Sequence, residues 1–127
     1  MNNKIKEFIA QKNIAVIGSF RSSEKIAYRV LLKLVERGYN VFPINPSLAE
    51  VEGLKCYKSV IDVPVDIDAV DLVTPPEATE KVVEDCKRKS VKFIWMQPGA
   101  ESGKAIKFCE DNNIKLIHDM CLLVELD

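Results

Sequence analysis

A glycine-rich nucleotide fingerprint, a paired-cysteine motif and a second histidine are all missing from this 127-residue sequence. The four cysteines, Cys56, Cys86, Cys109 and Cys121, are scattered, with no C-x-x-C spacing. Zinc asks for clustered thiolates or imidazoles, so no metal centre is expected. Thiols this dispersed read as reduced residues of an intracellular domain. Charge surplus is missing as well: 18 basic and 19 acidic side chains leave −1, which gives no electrostatic footprint for a nucleic-acid duplex. No apolar run is long enough for a bilayer, and the start, Met1 to Ile5, lacks the apolar core of a secretion signal. The expectation is a cytoplasmic protein without nucleic-acid or membrane partners. Repeats and low-complexity tracts are lacking too, so residues 1–127 read as one domain with one continuous core.

What is present alternates strand-like and helix-like patterns. A short leading helix is expected over Asn3–Gln11, then a first strand over Ile14–Ile17, apolar on both faces as a central parallel strand must be. A helix over Glu24–Arg37 carries Ile26, Ala27, Val30, Leu31, Leu34 and Val35 on one stripe, and Gly38 ends it. The second strand is Asn40–Ile44, where Pro43 cannot donate to a ladder and marks a strand end or an edge. Ser47–Val65 reads as irregular, with a short helix near Ser59–Asp62. Further strands over Ala69–Val73, Val91–Trp95 and Ile114–His118 alternate with helices over Glu77–Lys89 and Glu101–Asn112. The first of these helices buries Ala78, Val82, Val83 and Cys86. Alternation at these lengths implies right-handed βαβ crossovers. The fold class is therefore α/β: one doubly wound domain with a mostly parallel five-stranded sheet flanked by helices.

In such a sheet ligands sit outside the carboxyl ends of the strands, where the strand order reverses. The first strand is the natural centre, which turns attention to the stretch "IAVIGSFRSSEKIA". Gly18 lets the backbone turn and approach an anion, and Ser22 or Ser23 can cap the helix while donating to phosphate oxygens. Arg21 offers a bidentate fork and Lys25 a point charge one turn on. The same residues also describe an ordinary helix cap with solvated basic side chains. A nicotinamide or flavin dinucleotide fits poorly. Phe20 and Ser23 stand where the second and third fingerprint glycines belong, and "FPINP" carries no carboxylate for the ribose hydroxyls. A P-loop fails because no Gly-Lys-Ser or Gly-Lys-Thr follows the strand. The ligand should carry phosphates but seat its adenosine differently.

The stretches "VIGSFRSSEKIAYRVLLKLVERGYNVFPINP", "GLKCYKSVIDVPVDIDAVDLVTPPE", "FIWMQPGAES" and "LIHDMCLLVE" stand in an order that resembles the small stand-alone CoA-binding domains. These are Rossmann-like relatives of the N-terminal domain of succinyl-CoA synthetase α-subunits. The resemblance implies coenzyme A as the cofactor. It further implies that Gly18 to Lys25 form the pyrophosphate turn, with Ser19, Arg21, Ser22 and Lys25 contributing side chains. Asn45 and Pro46 would lie on the adenosine side, and Thr74, Pro75 and Pro76 against adenine and ribose. Met96, Gln97 and Gly99 would follow the pantetheine arm, and Arg21 or Lys25 would meet the 3′-phosphate. The chain departs from the family's common Asp-Arg-Cys ending with Asp119-Met120-Cys121. His118 does not match the synthetase's phosphorylated histidine.

Three functions follow from these residues. The first is a non-catalytic binder of CoA or acyl-CoA. The second is an enzyme acting on acyl-CoA through Cys121 or His118, and the third a degenerate NAD(P) protein. No nucleophile, base and orienting group converge in the sequence, which favours binding without chemistry of its own. Trp95 and Phe93 read as packing groups rather than as adenine stackers.

Overall fold

The computed structural model describes residues 2–126. In chain order the elements are α1 (Asn3–Ile9), β1 (Asn13–Gly18), α2 (Ile26–Glu36), β2 (Asn40–Ile44), β3 (Glu50–Val51) and β4 (Leu54–Lys55). A 3-10 turn (Val60–Asp62) leads to β5 (Ala69–Val73), α3 (Pro76–Arg88), β6 (Phe93–Met96), α4 (Gly103–Asp111), β7 (Lys115–Ile117) and α5 (Leu122–Glu125). Five strands pair in parallel in the order β2-β1-β5-β6-β7, while β3 and β4 form a separate hairpin. The α/β class and the five-stranded sheet thus hold. β5 is the central strand, and β1 lies one place in from the β2 edge. The strand order reverses between β1 and β5, which marks the ligand crevice of an open sheet. Pro43 sits on the edge strand β2, where its missing N–H costs no inner ladder bond.

Side chains alternate across the strands and build one apolar layer on each face. Ile14, Val16, Phe93 and Trp95 pack against α1, α2, α5 and the hairpin. Ala15, Ile17, Val70, Leu72, Ile94 and Met96 pack against α3, α4 and the 3-10 turn. Phe8 of α1 meets Phe93 and Trp95 edge to face, with ring centroids 5.3 and 5.2 Å away. The Trp95 indole N–H donates to the Met120 carbonyl at 2.7 Å. Phe93 and Trp95 are therefore packing groups.

Several boundaries differ from the sequence-based expectation. Helix α2 begins at Ile26 rather than Glu24, and it buries Ala27, Val30, Leu31 and Leu34. Ile26 and Val35 fall about 90° to either side of that stripe and stay exposed. The stretch read as irregular contains the hairpin, whose turn holds Glu52 and Gly53 at φ of 51° and 78°. Strand β6 starts two residues later than Val91, and α5 was not foreseen.

Asp71, Thr79 and Gln97 are the buried polar residues among those described, and Asp71 differs from the other two in its lack of a partner. Asp71 stands in the middle of β5, between Val16 and Trp95 in register, and is fully buried. Neither carboxylate oxygen has a hydrogen-bond partner among the described residues.

Candidate functional site

A parallel sheet sends every strand's carboxyl end to one rim, and the loops after β1, β2, β5 and β6 gather there. The β1 loop starts at Gly18, which has a packing role beyond the expected anion approach. A Cβ built on Gly18 would lie 2.8 Å from the Ala27 Cβ and 2.8 Å from the Val73 carbonyl oxygen. Glycine is required here so that α2 and β5 can close on the end of β1. Past it, Phe20 turns into the core, while Arg21, Ser22, Ser23 and Lys25 are exposed. The Arg21 Nε donates to the Ser19 hydroxyl at 3.3 Å. Ser22 and Ser23 do not cap the helix. Lys25 holds the N-cap position with no side-chain bond, and its N–H closes a turn onto the Ser22 carbonyl at 3.2 Å. The first N–H groups of an eleven-residue helix thus lack a side-chain acceptor, beside two exposed cations.

Asn45, at the exit of β2, is a bridge. Its Nδ2 donates to the Gly18 carbonyl at 2.8 Å, and its Oδ1 accepts the Ser47 N–H at 2.8 Å. Beside it opens a cavity of about 270 Å³. Ile17, Ile44, Val60 and Val82 give it apolar walls, and Pro46, Ser59, Thr74 and Ala78 also line it. Lys58, Lys81 and Asp85 complete the lining. Ala78 and Val82, read from periodicity as core, are only half-buried because the cavity takes the space beside them. The sequence reading missed Lys58 and Lys81 altogether. Each is one charged residue among many on a polar face, and only the fold turns them toward one cavity.

Thr74 also borders a second, shallower groove of about 250 Å³, formed with Val73, Pro75, Pro98, Gly99 and Ala100. Pro75 is the N-cap of α3 and Pro76 its first residue, where a missing N–H costs nothing. The Thr74 and Thr79 hydroxyls lie 2.6 Å apart across that first turn. Gly99 has a φ of +95°, and its N–H points at both carboxylate oxygens of Glu101, at 3.2 and 3.3 Å. Met96 is wholly in the core, and Gln97 is 2% exposed. The Gln97 amide holds the start of α5: its Nε2 donates to Cys121 Sγ at 3.2 Å, and its Oε1 accepts the Leu122 N–H at 2.8 Å. Of the residues read for the arm, Gly99 alone borders the groove.

Among the described residues, His118 and Cys121 take separate hydrogen-bond partners. His118 Nδ1 pairs with the Asp119 carboxylate at 2.7 Å, whereas Cys121 pairs with Gln97. None of the four cysteines forms a disulfide, and Cys56, Cys86 and Cys109 are buried. Burial pushes the Cys109 thiol up to about 11 and the Cys86 thiol higher still. A colorimetric disulfide reagent at pH 8 should therefore label Cys121 in the folded protein and all four thiols after denaturation. Peptide mapping that finds Cys86 or Cys109 labelled first would contradict this packing.

Among the described residues no His, Cys, Asp and Glu cluster can hold a metal, and no helix is long and apolar enough to cross a membrane. A further cavity of about 280 Å³ opens at the amino ends of the strands, between Gln11, Asp66, Asp68 and Lys89. It lies away from the crevice between β1 and β5.

The sequence model of the CoA binding domain family matches residues 12–127. An ADP-forming acetate–CoA ligase of Methanocaldococcus jannaschii is 38% identical over 94% of this chain, but the chain spans only 18% of that ligase's length. The Bacillus subtilis protein YneT, uncharacterized, is 26% identical, with 95% of this chain and 90% of that protein covered. A hypothetical protein from Pyrococcus horikoshii OT3 superposes with a TM-score of 0.91 at 35% identity, covering 95% of this chain and 86% of that one. With the sheet order, the crevice and this match together, the chain belongs to the CoA binding domain family.

Proposed function

We propose that this domain binds coenzyme A or an acyl-CoA at the carboxyl rim of its sheet and performs no turnover of its own. The observation that carries the reading is the apolar cavity at the strand-order reversal, joined through Thr74 to the groove beside Gly99. The cavity, about 270 Å³ and largely apolar, is the proposed place for the adenine, and the groove leads away from it toward the β6 exit. The uncapped start of α2, with Arg21 and Lys25, is the natural seat for the pyrophosphate between them. What supports the absence of turnover is that His118 pairs with Asp119 while Cys121 takes its hydrogen bond from Gln97.

The test is a thermal shift. A ligand at about a hundred times its dissociation constant stabilises the fold by about 2.7 kcal/mol, so CoA should raise Tm clearly and NAD should raise it little. Arg21→Ala and Lys25→Ala should each weaken CoA roughly tenfold or more, the loss of one charge-assisted contact. Their unliganded Tm should stay close to the wild type's, because both side chains are exposed. Equal protection by NAD would overturn the reading. Steady thiol release from acetyl-CoA, abolished by Cys121→Ala, would overturn the absence of turnover.

A further inference from the structure

We infer that Lys58 and Lys81 form a seat for a phosphomonoester on the ligand's ribose, so that the cavity selects CoA over its dephosphorylated form. This rests on the CoA reading of the same site. The two lysines reach one cavity from different elements, Lys58 from the turn before Val60 and Lys81 from the first half of α3. They are the only cations lining it. Neither has a hydrogen bond or ion pair among the described residues. The cavity's one carboxylate, Asp85, faces Arg88 at 3.6 Å, which offsets its charge. The cavity is thus a largely apolar slot with two unpaired ammonium groups at its edge.

A purine base alone gives such a pair nothing to meet, and the pyrophosphate has its own seat at the start of α2. Two unpaired cations beside the base cavity therefore imply a further anion on the same nucleotide. A phosphomonoester carries close to two negative charges at neutral pH, which matches two ammonium groups. Lysine suits the task, since its compact charge on a flexible stem can follow a group attached to a ribose. Ser59 adds a hydroxyl on the same wall; its oxygen accepts the Ile61 N–H at 3.2 Å, leaving its own proton to donate. This assignment moves the ribose phosphate away from Arg21 and Lys25, which remain with the pyrophosphate.

The experiment is calorimetric titration of CoA and dephospho-CoA into the wild type, Lys58→Ala, Lys81→Ala and the double variant. A charge-assisted contact corresponds to about a tenfold change in affinity, so with two such contacts the wild type should favour CoA by roughly a hundredfold. Each single variant should cut that preference about tenfold, and the double variant should bring it near one. Dephospho-CoA, which lacks the group, should change by no more than about twofold. The pair 3′,5′-ADP and ADP should repeat the pattern without the pantetheine arm. Far-UV circular dichroism checks that the exposed substitutions leave the fold intact. CoA binding that keeps its full preference in the double variant overturns the lysine seat while leaving the CoA reading standing. Failure of the wild type to bind either ligand overturns both.

Discussion

Gly18→Ala should destabilise the protein by about 2–3 kcal/mol, a fall in Tm of roughly 10 °C, although it adds one methyl group and strains no dihedral. The new Cβ would stand 2.8 Å from two atoms, the Ala27 Cβ and the Val73 carbonyl oxygen. The second is backbone on the neighbouring strand, so it cannot swing away. Relief requires α2 to lift or β5 to shift, and both carry core side chains on the same face. Ala27→Gly in the Gly18→Ala background should restore part of the loss, since it removes one of the two clashes and leaves the other. Thermal melts of the three variants read this directly. A Gly18→Ala protein as stable as the wild type would show that α2 rides loosely on the sheet.

The second large effect concerns Asp71. Burial pushes its carboxyl well above the usual carboxylate range, because nothing in the core stabilises the charge. A raised folded pKa means that the native state keeps a proton the unfolded chain has already released. Stability from this group is thus complete below the unfolded pKa, about 4, and is lost as pH rises toward the folded value. The loss approaches about 1.4 kcal/mol per pH unit within that window. Asp71→Asn removes the titration and Asp71→Val also removes the orphaned polar group. Measured by urea unfolding, the gap between Asp71→Val and the wild type should be small at pH 4 and widen steadily toward pH 8. Asp71→Asn should share the flatter profile. Parallel profiles for all three proteins would mean that the carboxyl has found a partner and ionises normally.

Residues in long periodic runs declared their places, and residues whose role depends on a distant neighbour did not. The β-branched strands and the Ala27–Leu34 stripe of α2 follow from local pattern, as does Pro43 on an edge. Strand order does not, because a parallel sheet is set by crossovers rather than by adjacent residues. The hairpin eluded the reading since its strands are two residues each, too short for an alternating pattern. The spacing of Gly18 fits an anion loop, but only Ala27 and Val73 reveal the close packing that also demands a glycine there. The resemblance points Gln97 toward the pantetheine arm, whereas its amide is held by Cys121 and Leu122, about 25 residues on. Lys58 and Lys81, distant in sequence, line one cavity only because the 3-10 turn packs against α3 in the fold.

The Asn45 side chain has a bearing on affinity beyond its place beside the cavity. With one amide it fastens the β1 exit to the β2 exit, at Gly18 and Ser47. Two separate loops would each surrender conformational freedom when a ligand lay across them, a loss of about 0.5–1.5 kcal/mol for every long side chain held still and more for moving backbone. Loops already joined surrender it during folding. If a nucleotide reaches from the helix start to the cavity as proposed, it would meet a single stiff surface, and more of its contact energy would remain as binding.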